Sequence, residues 1–144
     1  MPGFTYDTNV FIDYNLDYYP NGFVMSAVVI QELAAGARDK TRLRELETKR
    51  RSFENDEKLL TPNGEDWYLA GKILNSLYRA SAAKARGTRT RIPKEEQQRI
   101  IRDVLIARSA KRMNVTVVTR NLKDFDLIRQ YCAVKTEHPD DFLP

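Results

Sequence analysis

The chain of 144 residues is 42% apolar and 31% charged, with a formal net charge of +4; it is expected to form one domain, residues 1–144, around one sizeable core, and it is too apolar to be disordered. No apolar stretch nears the ~18 residues of a membrane span, no basic-then-apolar leader opens the sequence, and the lone cysteine, Cys132, excludes an internal disulfide, so a cytoplasmic protein with no membrane attachment is expected. With only His138 for company, Cys132 cannot build a zinc site of sulfur and imidazole ligands and reads as a half-buried strand residue.

Residues 3–6 read as a short strand that ends at Asp7. Residues 10–14 begin a helix or turn, and YYPNG at 18–22 breaks the chain. FVMS at 23–26 is a buried strand, with Ser26 as N-cap of the helix AVVIQELAAG and Gly36 at its end. Residues 39–58 form a highly charged helix with a thin apolar stripe at Leu43, Leu46 and Phe53, which LLTPNG at 59–64 breaks. Residues 65–83 form an amphipathic helix in which Trp67, Ala70, Ile73, Leu74, Leu77 and Ser81 recur at three- and four-residue steps. A basic loop, 84–93, precedes a helix at 94–113. VTVV at 115–118 is the clearest strand; TRNLKDF follows as a loop, then a short helix through Ile128 and a last strand at 131–134. Strands alternating with helices imply parallel crossovers, an α/β three-layer α/β/α sandwich with a mostly parallel sheet, and a site at the carboxyl ends of the strands.

Charge is unevenly spread. Residues 1–37 hold no Lys or Arg but carry Asp7, Asp13, Asp17 and Glu32, whereas residues 84–112 hold ten basic residues against three acidic ones. A basic surface around an acidic centre suits a polyanion held beside a metal. Two helices each carry one acid on the apolar side. Glu32 lies a turn from Val28, Val29, Ala35 and Gly36, and Asp103 lies three after Ile100 and four before Ala107. Asp7 follows the first strand and Asp124 follows the best one. Acids buried without partners are costly. Four acids from four segments aimed at one end of a sheet would repel unless a cation sat among them, and oxygen ligands of this kind suit Mg²⁺ or Mn²⁺. Such a centre points to phosphodiester chemistry. An aspartyl-phosphate phosphatase would need a second Asp two residues after Asp7, where this chain has Asn9.

The segments YDTNVFI (6–12), SAVVIQELAAG (26–36) and RDVLIARSAKRMNVTVVTRNLKDF (102–125) resemble, in order and spacing, the PIN-domain nucleases, and most closely the VapC-type toxins of prokaryotic toxin–antitoxin pairs. The resemblance implies an α/β/α sandwich, a divalent metal (Mg²⁺ or Mn²⁺), endonucleolytic cleavage of RNA, a small antitoxin partner and a homodimer. By motif, Asp7 and Asp103 match the central metal ligands and Glu32 the first-helix acid. Thr8 and Asn9 match residues that support the first Asp, and Thr119 matches the hydroxyl residue ending the fourth strand. The fourth acid has two candidates: Asn121, where many members carry Asp, and Asp124, just before Phe125; with Asn121 there, one or two metals are compatible. Arg86, Arg89, Arg91 and Arg120 are candidate substrate contacts, and Tyr14, Tyr18 and Tyr19 candidate exposed aromatics for a partner. The competing reading is a PIN-like module, weak in catalysis, that binds RNA or protein.

Overall fold

The computed structural model describes residues 3–14, 20–80 and 92–143, and the backbone alone over 81–84. Its centre is β1 (Phe4–Tyr6), which pairs in parallel with β4 (Thr116–Val118), Phe4 opposite Thr116 and Tyr6 opposite Val118. β5 (Lys135–Glu137) lies parallel on the far side of β4. On the other side of β1, a parallel bridge from Phe4 to Phe23 leads to β2 (Met25–Ser26), which pairs with β3 (Leu59–Leu60). Strands therefore run in parallel in the order β3-β2-β1-β4-β5. The approach of the chain before β2 to β1 depends on Gly3: a Cβ there would lie 2.7 Å from the Gly22 carbonyl oxygen, itself the acceptor of the Phe4 N–H at 3.0 Å.

Alternation along the strands sorts the core into two clusters, one on each face. Phe4, Tyr6, Phe23, Met25 and Val118 point to a layer holding Val10 of α1 (Thr8–Tyr14), Ile30 of α2 (Ala27–Ala35) and Leu46 of α3 (Lys40–Asn55). Val24, Leu60 and Val117 point the opposite way, to Ile73 of α4 (Gly64–Lys84), Val104 and Ile106 of α5 (Lys94–Arg112), and Phe125 and Ile128 of α6 (Leu122–Arg129). A four-residue helix, α7 (Pro139–Phe142), closes the first layer through Phe142, whose ring centroid is 4.7 Å from that of Phe4. The expected α/β/α sandwich is present.

Several expectations change in detail. The last strand is 135–137, not 131–134. Tyr131 and Cys132 donate their N–H groups to the Ile128 carbonyl at 2.8 and 3.0 Å, so that apolar run closes α6 as a turn, and Cys132 is buried in it rather than half-buried in a strand. LLTPNG begins with the short strand β3, and α6 starts at Leu122, inside the expected loop. The charged helix is anchored by Leu46 and Phe53, while Leu43 is exposed. Trp67, expected on the apolar side of α4, is 57% exposed. The side chain of Ser81, most of the basic loop with Arg86, Arg89 and Arg91, and Tyr18 and Tyr19 lie outside the described residues.

Candidate active site

The segment YDTNVFI spans the junction between β1 and α1. The Asp7 N–H bonds the Val118 carbonyl at 2.9 Å, holding the strand end in register with β4. The side chain is 1% exposed. Its Oδ1 accepts from the Thr8 N–H at 2.8 Å, and its Oδ2 from the Thr119 hydroxyl at 2.8 Å and the Asn9 amide at 3.2 Å. Thr119 Oγ1 accepts in turn from the Asn121 N–H at 3.0 Å, and Asn9 Oδ1 from the Arg120 N–H at 3.2 Å. The three polar residues of DTN thus divide into one carboxylate and two side chains that lock it or its neighbours. The Thr8 hydroxyl donates to Glu32 Oε1 at 2.9 Å, joining α1 to α2.

Asp103 enters from α5 and is also 1% exposed. Its Oδ1 takes the Arg102 guanidinium at 3.1 Å, while its Oδ2, equally buried, has no hydrogen-bond partner. Burial pushes the Asp103 pKa up to about 7; Arg102 opposes the rise, and the charges of Asp7 and Asp124 add to it. Arg102 also donates from Nη1 to Glu32 Oε2 at 3.0 Å. Burial works against the Arg102 charge, but Asp103, Glu32 and Asp7 outweigh it and the guanidinium is held firmly ionised.

The structure brings Asp7, Glu32 and Asp103 to the carboxyl end of the central strands, tied through Thr8 and Arg102. Asp124 sits in the first turn of α6 at the rim, a third exposed, 3.5 Å from Arg99. Its N–H donates to the Asn121 carbonyl at 3.1 Å, so Asn121 serves the start of α6 through its backbone. The Arg120 guanidinium pairs with Asp13 of α1 at 2.5 Å. The four expected ligands do not close into a finished set: among the described residues no three acids, histidines or cysteines are placed to hold a metal as they stand. The donor chemistry nevertheless fits a hard divalent cation. All four side chains offer oxygen, and one buried carboxylate oxygen is unclaimed. Beside Glu32 and Arg102 opens a cleft of about 580 Å³ between α2, α4 and α5, lined also by Val28, Trp67, Arg99 and Leu105.

Two residues escape a reading of the sequence alone. Arg102 stands there only as one of many basic residues, although its place next to an inward Asp is a signal. Asp66, wholly buried, reads as part of a helix start; NGED at 63–66 is a reciprocal cap, with the Asn63 and Asp66 N–H groups each bonding the other's side chain at 3.0 and 3.1 Å. Cys132 and His138 each serve the fold. Burial raises the thiol pKa, and His138 Nδ1 accepts from the Asp140 N–H at 3.1 Å to cap α7.

No family model and no curated protein matches the chain. Among solved structures, a chain of DNA-bound VapBC from Salmonella typhimurium is 20% identical over 96% of this chain and 98% of that one, with a TM-score of 0.52. A chain of VapBC-1 from nontypeable Haemophilus influenzae is 22% identical over 94% and 96%, with a TM-score of 0.49. The chain has the PIN-like α/β fold that the motifs implied, shared with the Salmonella protein over nearly the whole of both lengths. None of the described helices is long and apolar enough to cross a membrane.

Proposed function

We propose that the protein is a metal-dependent endoribonuclease, the cytoplasmic toxin of a toxin–antitoxin pair, that cleaves RNA phosphodiesters at its acidic centre with Mg²⁺ or Mn²⁺. The observation that carries the reading is the pair of fully buried carboxylates, Asp7 and Asp103, at the end of the central strands, one of them with an unpartnered oxygen. Like charges held close in a dry site favour a small cation between them. Asp7 and Asp103 would hold the ion, with Glu32 and Asp124 beside it. When bound, the ion supplies a deprotonated water and charge stabilisation at the leaving oxygen. The Thr8 N–H, the Asn9 amide and the Thr119 hydroxyl hold the Asp7 carboxylate in place for that role. The antitoxin and homodimer parts of the proposal come from the motif resemblance, and Arg86, Arg89, Arg91 and Arg120 remain proposed substrate contacts.

A second reading, a PIN-like binding module weak in catalysis, draws on one observation: Arg102 already forms ion pairs with both Glu32 and Asp103. Incubating the purified protein with a generic single-stranded RNA, with Mn²⁺ and then with chelator, separates the two. Metal-dependent cleavage is expected, and Asp7→Asn and Asp103→Asn should each lower it by about three decades, the equivalent of ~4 kcal/mol of transition-state stabilisation. Cleavage by either variant at the wild-type rate removes the assignment.

A further inference from the structure

We propose that Arg102 is a resident counter-ion that competes with the divalent cation for Glu32 and Asp103, so that the cation loads only as this guanidinium leaves. The inference rests on the reading that these acids hold a cation. Arg102 bridges two helices, with α5 carrying both Arg102 and Asp103 and α2 carrying Glu32; its contacts, 3.0 Å to Glu32 and 3.1 Å to Asp103, take one oxygen of each acid. A cation bound to those oxygens would compete with the guanidinium for the same lone pairs, and the two like charges would repel.

A buried acid on the neighbouring helix α4 shows what a purely structural pair looks like here. Asp66 is fully buried, and both of its oxygens are taken, Oδ1 by Arg108 at 3.2 Å and Oδ2 by Arg112 and the Asn63 N–H. Asp103 is as deeply buried but only half satisfied, because its Oδ2 has no hydrogen-bond partner. Leaving that carboxylate oxygen unpaired costs desolvation free energy that a hydrogen bond or a cation would recover. The guanidinium also has somewhere to go. Arg102 is a quarter exposed and lines the cleft of about 580 Å³ between α2, α4 and α5, where Gln31 and Gln98 offer side-chain oxygens. Rotation about the flexible arginine stem would carry the charge off the acids without moving the helix. Arg102 therefore sets the affinity of the centre for its cation, and offsets part of the acids' charge until one arrives.

The test is calorimetric titration of chelator-stripped protein with Mn²⁺ alone, in buffer free of phosphate and carboxylates, for wild type, Arg102→Gln and Arg102→Lys. Arg102→Gln is expected to bind Mn²⁺ at least tenfold more tightly, while its stripped form melts at a lower temperature than wild type. Arg102→Lys keeps the charge but loses the fork that grips two carboxylates at once, and should bind about threefold more tightly. A folded Arg102→Gln that binds Mn²⁺ no more tightly than wild type overturns the proposal and leaves the metal reading standing. If Arg102→Gln does not fold, an unchanged Arg102→Lys affinity overturns it equally. No Mn²⁺ binding by any of the three proteins overturns the metal reading, and the competition with it.

Discussion

A carboxyl group that is 1% exposed, with one oxygen unpartnered, gives the metal-free protein an inverted response to pH. The ordinary Asp pKa is about 3.9, and that of Asp103 in the fold is about 7. Between those values the folded chain binds the proton and the unfolded chain does not. Stability contributed by this residue is therefore present at low pH and is lost as pH rises toward 7, by up to about 4 kcal/mol at ~1.4 kcal/mol per tenfold. Asp103→Asn carries no such penalty. Urea unfolding in chelator should find the variant close to wild type near pH 4 and more stable than wild type at pH 8. A variant less stable than wild type at pH 8 would mean that Arg102 holds Asp103 ionised and that the ion pair stabilises the fold. The residues of this centre were legible unequally. Asp7, Glu32 and Asp103 could be placed because each occupies a position that a strand end or an apolar helix face turns inward. Arg102 could not, because neighbours along a helix point about 100° apart and it reads as a solvent residue. Only the reach of an arginine lets it fold back onto the acids.

At the scale of elements, α4 and α5 share the most extensive helix–helix contact among the described residues, and a polar contact pins it. Burial alone would push the Asp66 carboxyl up, but Arg112, the Asn63 backbone and Arg108 more than offset it and hold its pKa below the usual range. Its contribution is present above the ordinary carboxylate pKa and fades only as pH falls below it. Asp66→Ala removes the reciprocal cap with Asn63 and strands two arginines that are only partly exposed. A loss of about 3 kcal/mol in urea unfolding at pH 7 is expected. The proposed RNA cleavage, measured per folded molecule, should hold, since the bonds of Asp66 go to Asn63, Arg108 and Arg112 and not to the acidic centre. Equal loss of activity in the folded variant would show that α5 depends on this pin to place Asp103. Helices were readable here because a long run repeats its pattern several times, as 65–83 and 94–113 do. The strands carry two or three residues each, too few for a period. β5 is the extreme: an edge strand whose Lys135 and Glu137 are exposed, adjoining the apolar run 131–134, in which buried Cys132 and Val134 alternate with exposed Tyr131 and Ala133, so that the turn resembles a strand more than the strand does.

Across the whole molecule the strand order β3-β2-β1-β4-β5 places the reversal of winding between β1 and β4, the point at which open parallel sheets form their crevices. β1 belongs to the first third of the chain and β4 to the last, and the acids divide the same way: Asp7 and Glu32 from one side of that seam, Asp103 and Asp124 from the other. In the free protein the two sets are joined across it by Arg102 and by the hydrogen bond from Thr119 to Asp7. A divalent cation held by the acids as proposed would add a bond to both sets at once, and would bind only where they are assembled. Its effect should therefore be global rather than local. At a hundredfold excess over its Kd, Mn²⁺ should add roughly 2.7 kcal/mol to stability, or roughly 5–10 °C in Tm for a domain of this size. Sodium at matched ionic strength should do far less, because screening is not coordination. Hydrogen exchange should slow together at residues 7–10, 29–33 and 103–107, and Asp103→Asn should abolish the common change. Protection confined to one of those segments, with an unmoved Tm, would mean that the ion touches the surface of one element and that the seam between β1 and β4 is not where it binds.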